Sequence, residues 1–515
     1  MKKVRTLIIF IAIICLLVWG INRYYKKRGV EFKLPVISHD VTSEGETVQQ
    51  EDDRSHVKLS IQNSGRDIFN PAAVSFYDYS YGPGLILNED GSVDAWFSST
   101  GNGGTKDYIT WRHMDDEAEG FSEELVVFGP TPGSMDRLST CDPDVFYHDG
   151  YYYLGYTATV DPILDGLCNS VFLARAASPE GPYEKWNGSG WGGDPFPIVY
   201  YDGFSIGWGC GEPSFVKKDG KLYVYSTKDA YSMQGVRVKV TEVRMGDLKD
   251  PMWPAHLEYL GVCADRSDGV QEGYVFEDCD SWDVVYVEEF DRFLALCCNR
   301  RFTMGSSLLY FESEDGIYFE RISEINKNLI CGCHNCGILG DGDGHIKEGD
   351  ILRVCYSYAG NGDQKWGHWA TRFAPLVMEE SRGLDRSEEN KKNIKMAMTL
   401  KQTKTDPRVI YTEEEPSRAV SANRIFIPVD EYEVDLEPVY AVVIRPLLRD
   451  SSGNVSEMTA EERGANHVIF EVSDESVCTV GEDGVVFPLS SGECEVTMRA
   501  SRGIVQKVKV YVREA

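Results

Sequence analysis

The chain has 515 residues, enough for two or three domains, and 42% of them are hydrophobic, a level that fits packed globular material rather than disorder. Asp and Glu number 82 against 52 Lys and Arg, a formal charge of −30 that would repel a phosphate backbone. Nucleic acid is thereby set aside as a partner.

Residues 1–28 read as an uncleaved signal anchor. Lys2, Lys3 and Arg5 precede an uncharged apolar run from Thr6 to Ile21, and Arg23, Tyr24, Tyr25, Lys26, Lys27 and Arg28 follow it. The run is short for a membrane-spanning helix, but the flanking aromatic and basic side chains suit the interface. No small-x-small cleavage pattern is present, and Ile14 before Cys15 does not suit a lipoprotein. Basic residues on both sides leave the orientation to the rest of the chain, which predicts a single-pass protein of the cell membrane with its body outside. Residues 29–65 are polar and acidic and predict a stalk.

From 66 to 378 a strand–turn–strand unit repeats, opening at Gly82, Asp142, Glu212, Asp283 and His334. Its turns fall at Asp90-Gly91, Asp149-Gly150, Asp219-Gly220 and, less regularly, Phe290-Asp291, pairs that accept the positive φ of tight hairpins. Openings spaced about 50 to 70 residues apart leave room for four strands each. One such unit cannot cover both of its faces, so the pattern predicts an all-β, five-bladed β-propeller whose opening residues converge on one central channel. Residues 379–406 are charged and predict a linker. Residues 407–515 predict a small β-sandwich, with strands starting near Ile425, His467, Val485, Cys494 and Val505.

The cysteines are scattered, apart from Cys331-Gly332-Cys333-His334-Asn335-Cys336. That spacing does not match a zinc ribbon or finger and no second half-site follows, so buried free thiols are expected. Cys478 and Cys494 are candidates to bridge two strands of the last domain if it lies outside the cell.

Two resemblances come from these motifs. The stretch from Asp142-Pro143-Asp144 to Leu154, and Ala177 to Trp186 after it, resemble the second blade of family 43 glycoside hydrolases. Asp142-Pro143 and Glu212-Pro213 also resemble acidic motifs of the related fructan-cleaving propellers. The segment from Phe470 to Ala500 resembles bacterial Ig-like modules of the second group, which implies a spacer or an adhesive unit in contact with cell wall or glycan. The family 43 resemblance implies hydrolysis of a glycosidic bond by carboxylates on the inner strands. It puts Asp142, Glu212 and Asp283 forward as catalytic, and His334 beside a bound ion or water, with a calcium ion in the channel as one form of it; no other cofactor is expected. Asn335, Trp208 and Asp78 are the candidates for holding sugar.

Acetal cleavage near neutral pH needs one protonated carboxyl and one ionised one, and crowding carboxyls separates their pKa values. On this basis Glu212 is expected to give the proton while Asp142 stays ionised. The chain departs from either family at Gly82, where a first-blade aspartate belongs, and carries Glu212 then Asp283 where family 43 has Asp then Glu. Trp96 is expected in the core; Trp111 and Trp366 are further stacking candidates. Arg300 and Arg301 either reach a substrate or form a solvated pair. Two functions therefore stand open: a glycosidase of plant or host glycans, of the β-xylosidase or α-L-arabinofuranosidase kind, or a non-catalytic carbohydrate-binding or adhesive surface protein.

Overall fold

Short runs that alternate apolar and polar residues bury one face of a sheet only if other sheets cover them, and the chain meets this demand by arranging its sheets radially. In the computed structural model the described residues are 54–69, 79–100, 107–159, 166–235, 237–263, 280–301, 305–330, 332–359, 369–382, 424–438 and 440–514. The expected anchor, the stalk up to residue 53 and the linker beyond residue 382 lie outside them. Among the described residues no helix is long and apolar enough to cross a membrane.

Strands β1 (Ser55–Ile61) and β2 (Arg66–Phe69) precede the first blade. That blade is the antiparallel sheet of β3 (Ser80–Leu87), β4 (Val93–Ser99), β5 (Tyr108–Met114) and β6 (Leu125–Phe128). The second is β7 (Thr140–His148), β8 (Tyr151–Ala158), β9 (Ser170–Ala176) and β10 (Glu184–Lys185), and the third β11 (Gly209–Lys218), β12 (Lys221–Tyr231), β13 (Arg237–Asp247) and β14 (Glu258–Val262). The fourth holds β15 (Asp280–Val287), β16 (Arg292–Asn299), β17 (Ser307–Ser313) and β18 (Glu320–Ile325). The fifth is β19 (Cys333–Ile338), β21 (Arg353–Ala359) and β22 (Trp369–Arg382), and between β19 and β21 the short β20 (His345–Ile346) pairs parallel with β15 of the fourth.

The fifth blade is completed from the other end of the repeat. β1 pairs antiparallel with β22 from Ser55↔Arg382 to Ile61↔Leu376, so residues 55–61 are an outer strand and not the end of a stalk. The reason is visible in the alternation: Val57, Leu59 and Ile61 are buried against Leu376, Ile325 and Tyr310, and an outer strand left unpaired would expose that row.

The hairpin that links β19 to β21 crosses the axis. Gly340 O accepts Leu87 N at 2.7 Å, Gly342 O accepts Tyr147 N at 2.7 Å, Asp343 O accepts Lys217 N at 2.8 Å and Gly344 O accepts Tyr286 N at 2.9 Å. One segment thus bonds the inner strands of all four other blades and closes the channel at that end. Close approach is what its glycine serves: a Cβ on Gly344, at φ +77°, would stand 2.7 Å from Phe215 O.

Residues 424–513 form three small sheets, with Tyr432 in Glu431–Asp435 running parallel to Ile504–Arg513 and a single α-helix at Ala460–Ala465 capped by Thr459 and Glu462. This unit shares one apolar core with blades two and three: Ile425, Tyr440, Val442 and Ile444 pack with Cys168, Val199, Val238 and Val240. The interface between the two is large and carries polar contacts as well. Ala441 N donates to Tyr231 O at 2.7 Å, Tyr440 Oη donates to Glu242, and Arg445 binds both Tyr201 O and Glu457, the latter at 3.0 Å. Burial alone would raise Glu242, yet Lys228 and Arg244 hold it down at about 2. Cys478 and Cys494 remain thiols, their sulfurs 3.2 Å apart.

Replacing Arg445 by Met leaves Glu457 buried without its cation and is expected to lower stability by about 3 kcal/mol or more. Denaturant unfolding of the single variant and of Arg445→Met combined with Glu457→Leu checks this, with the double variant recovering most of the loss.

Candidate active site

Each inner strand is interrupted at the same point. Pairing with the second strand skips two residues between Tyr81 and Gly84, Cys141 and Asp144, Gly211 and Ser214, Asp280 and Asp283, and Cys333 and Cys336. The first skipped residue has left-handed backbone in four blades: Gly82 (φ +60°), Asp142 (+50°), Glu212 (+52°) and Ser281 (+58°). Such bulges re-aim a side chain out of the pleat. Serine or threonine hydroxyls from the second strand of the preceding blade pin two of them, with Ser98 Oγ accepting Asp142 N and Thr157 Oγ1 accepting Glu212 N, each at 2.7 Å.

This register corrects the place of Asp283. The fourth blade presents Ser281 at the position of Asp142 and Glu212, while Asp283 is equivalent to Asp144 and Ser214, two residues deeper. There its carboxylate accepts Ser214 Oγ at 3.0 Å and Ile338 N. His334 and Asn335 are the two skipped residues of the fifth blade.

Glu212 sits at the centre of the resulting network. Its Oε2 accepts Ser281 N at 2.9 Å, and its Oε1 accepts Asn335 Nδ2 at 3.3 Å with Arg301 Nη1 at 3.7 Å. Arg301 also lies 2.6 Å from His334 Nδ1. Burial and then the Arg301 charge press His334 well below its ordinary pKa, so its ring is neutral. His334 lies between Tyr81 and Trp369, its ring tilted 35° to each, with ring centroids 4.9 and 4.6 Å away.

Asp142 is the titrating member. Burial, then the charge of Glu212, with a further push from Asp107, raises it from 3.8 to about 7, against a hydrogen bond from Cys141. Desolvation also raises Asp283 to about 7, and raises Asp144 well above the usual carboxylate range, with Asp283 adding to it. The small axial cavity between them, about 20 Å³, is lined by Asp142, Asp144, Glu212 and Asp283 and is large enough for a water. The calcium expectation finds no ligand set here. Among the described residues no group of three or more His, Cys, Asp or Glu is spaced to hold a metal ion.

Of the remaining candidates, Trp208 is half-buried ahead of β11, its ring against Gly211, whose Cβ would stand 2.8 Å from it. Trp96 is core, fully buried and bonded through Nε1 to Tyr183 Oη at 3.1 Å. Trp111 belongs to the third strand of its blade, where Nε1 donates to Asp94 at 3.0 Å, away from the axis. Arg300 turns outward to Glu324 and Ser307, so only Arg301 of that pair reaches the site. Asp78, Trp366 and Cys331 lie outside the described residues; Cys333 and Cys336 are buried thiols, as expected of a blade.

Two residues escaped the repeat. Asp107, just before β5, brings the first blade's carboxylate toward Asp142 in place of the missing one at Gly82, and accepts the Tyr79 hydroxyl. Ser281 was hidden by the acid two positions on.

No protein-family model and no curated protein matches the sequence. Solved structures do. The chain is similar to glycoside hydrolases. A family 117 glycoside hydrolase, Zg3597 of the marine bacterium Zobellia galactanivorans, aligns at 17% identity and TM-score 0.43, over 64% of this chain and 91% of its own. The α-L-arabinofuranosidase PaAbf62A of Podospora anserina, in complex with cellotriose, aligns at 10% identity and TM-score 0.43, over 62% and 98%. A family 43 β-xylosidase/α-arabinofuranosidase from a compost metagenome, with xylotriose, aligns at 13% and 0.40, over 61% and 94%.

An Asp142 pKa raised in the fold means that the folded protein keeps a proton which the unfolded chain has already lost between pH about 4 and 7. Stability therefore falls as pH rises through that window and levels off above it. Asp142→Asn is expected to unfold at a higher temperature than the wild type at pH 8, with the two converging near pH 4; melting curves at both pH values check it.

Proposed function

We propose that this protein is a glycoside hydrolase in which Asp142 donates the proton to the leaving oxygen and Glu212 is the second working carboxylate. The observation that carries this reading is the pairing itself. Asp142 is raised to about 7 beside a Glu212 whose two oxygens both receive N–H donors. A carboxyl that keeps its proton near neutral pH suits general-acid work, and a neighbour occupied as an acceptor suits activation of water or direct attack. These roles reverse the expectation that Glu212 gives the proton, because Asp142 faces Asp107 as well as Glu212, whereas Glu212 faces Arg301 and Asn335.

The resemblance of the Asp142-Pro143-Asp144 and Ala177–Trp186 segments to family 43 supports a pentose, arabinose or xylose, as the sugar removed. Arg301, Asn335 and Trp208 supply the polar and aromatic groups for holding it. The apolar run of residues 6–21 supports tethering of this body to the outer face of a membrane.

Asp142→Asn and Glu212→Gln are each expected to lower turnover of an unactivated pentoside by at least about a hundredfold. An aryl pentoside with a good leaving group needs little protonation, so it should restore much of the rate in Asp142→Asn and little in Glu212→Gln. The wild-type rate should decline above pH about 7 as Asp142 loses its proton. Full activity of Asp142→Asn on a natural glycan would overturn the assignment. The second reading, a carbohydrate-binding protein without turnover, draws on Gly82, which brings no carboxylate and whose Cβ would stand 3.2 Å from Asp142 Oδ1. Saturable pentosan binding with no release of sugar from any pentoside would favour it.

A further inference from the structure

A second cavity lies far from the axis. It opens between the outer strands of blades two and three and the C-terminal unit, with a volume of about 690 Å³, inside the roughly 300–1,000 Å³ span of ligand pockets. On the propeller side Phe196, Leu257 and Tyr259 give it apolar faces, and Asn187 and Asp202 give it polar edges. The C-terminal unit closes it with Asp430, Glu431, Tyr432 and Glu433.

Two polar atoms on this wall, the Tyr200 hydroxyl and Glu433 Oε2, are buried without a hydrogen-bond partner. Buried groups of this kind ordinarily have partners, so the two mark places where a ligand's hydroxyls are wanted. The charge narrows the ligand. Asp202, Asp430, Glu431 and Glu433 line the cavity with Arg244, and that cation is already committed to Glu242 at 2.8 Å. Asp202 is likewise paired with Lys228, and Glu433 with Arg513, so the cavity offers no uncommitted cation to an anion, whereas a neutral, hydroxyl-rich chain with C–H faces meets both the aromatic surfaces and the orphaned polar atoms.

We propose that this groove is an auxiliary saccharide-binding site, which holds a neutral stretch of the polysaccharide whose cleavable end reaches the channel. The class of ligand rests on the hydrolase reading above; the site itself rests on the cavity. The groove uses β13, β14 and the segment after β10, so ligand held there leaves the axis free.

The test uses the full chain with linear xylo- and arabino-oligosaccharides, followed by titration calorimetry, and spermidine as a cationic control. Ala255 is exposed on the groove wall, so Ala255→Trp obstructs it without touching the core, while Tyr259→Ala removes an aromatic face. Both should weaken oligosaccharide binding by at least about tenfold, and leave kcat/KM for a small aryl pentoside unchanged. Affinities unaltered in Ala255→Trp, no oligosaccharide binding by the wild type, or binding of spermidine alone would each overturn the groove. Turnover bears on the other proposal. Groove-dependent binding without hydrolysis by the wild type keeps this site and removes the hydrolase reading; hydrolysis lost in Glu212→Gln, with binding indifferent to Ala255→Trp, does the reverse.

Discussion

The centre of this protein depends on a break in the backbone that recurs at the head of every inner strand. A regular pleat would point alternate side chains up and down within each blade and none along the axis. The two-residue skip, with left-handed backbone at Gly82, Asp142, Glu212 and Ser281, turns those residues toward the channel instead. Left-handed backbone is unfavourable for a residue with a Cβ, and it is held here by second-strand hydroxyls on the amides of Asp142 and Glu212. The bulge therefore couples fold to chemistry: the conformation that strains the strand is the one that aims the carboxyls.

Once the acids are aimed together, burial decides their states. Carboxyls at the bottom of a channel lose water, and a hairpin bonded to four inner strands shuts the far end, so solvent reaches the site from one side. Charges that cannot all be stabilised sort themselves. Arg301 and Asn335 attend Glu212, a proton stays with Asp142, and the same desolvation keeps the deeper Asp144 and Asp283 raised. His334 takes its neutral form for a related reason, since it is buried against a cation. Its place is that of a packing and hydrogen-bonding partner to Arg301 more than of a proton carrier.

The C-terminal unit contributes at the periphery. It shares a core with blades two and three, and a buried cluster of Glu242, Lys228, Arg244 and Tyr440 joins them. Charges buried in that way are held there by mutual pairing. Fixing the unit in place also creates the groove beside it, with walls drawn from both parts of the chain.

Local patterns determined much of this. The Asp-Gly hairpins at Asp149-Gly150 and Asp219-Gly220, the alternation within each strand and the repeat spacing were enough for five four-stranded blades, because a hairpin's register follows from its own turn. Asp142, Glu212 and His334 were legible as heads because a dipeptide or a repeat start marked them. Tertiary structure alone decided the rest. A one-position reading of an inner strand cannot see where its partner strand skips, so Asp283 looked like a head in place of Ser281. Asp107 and Arg301 belong to segments between other strands and join the site only when the ring closes. Residues 55–61 looked like a stalk because their partner, β22, lies more than three hundred residues away. Which carboxyl holds the proton is a property of the water and charges around it, and no stretch of sequence carries that surrounding.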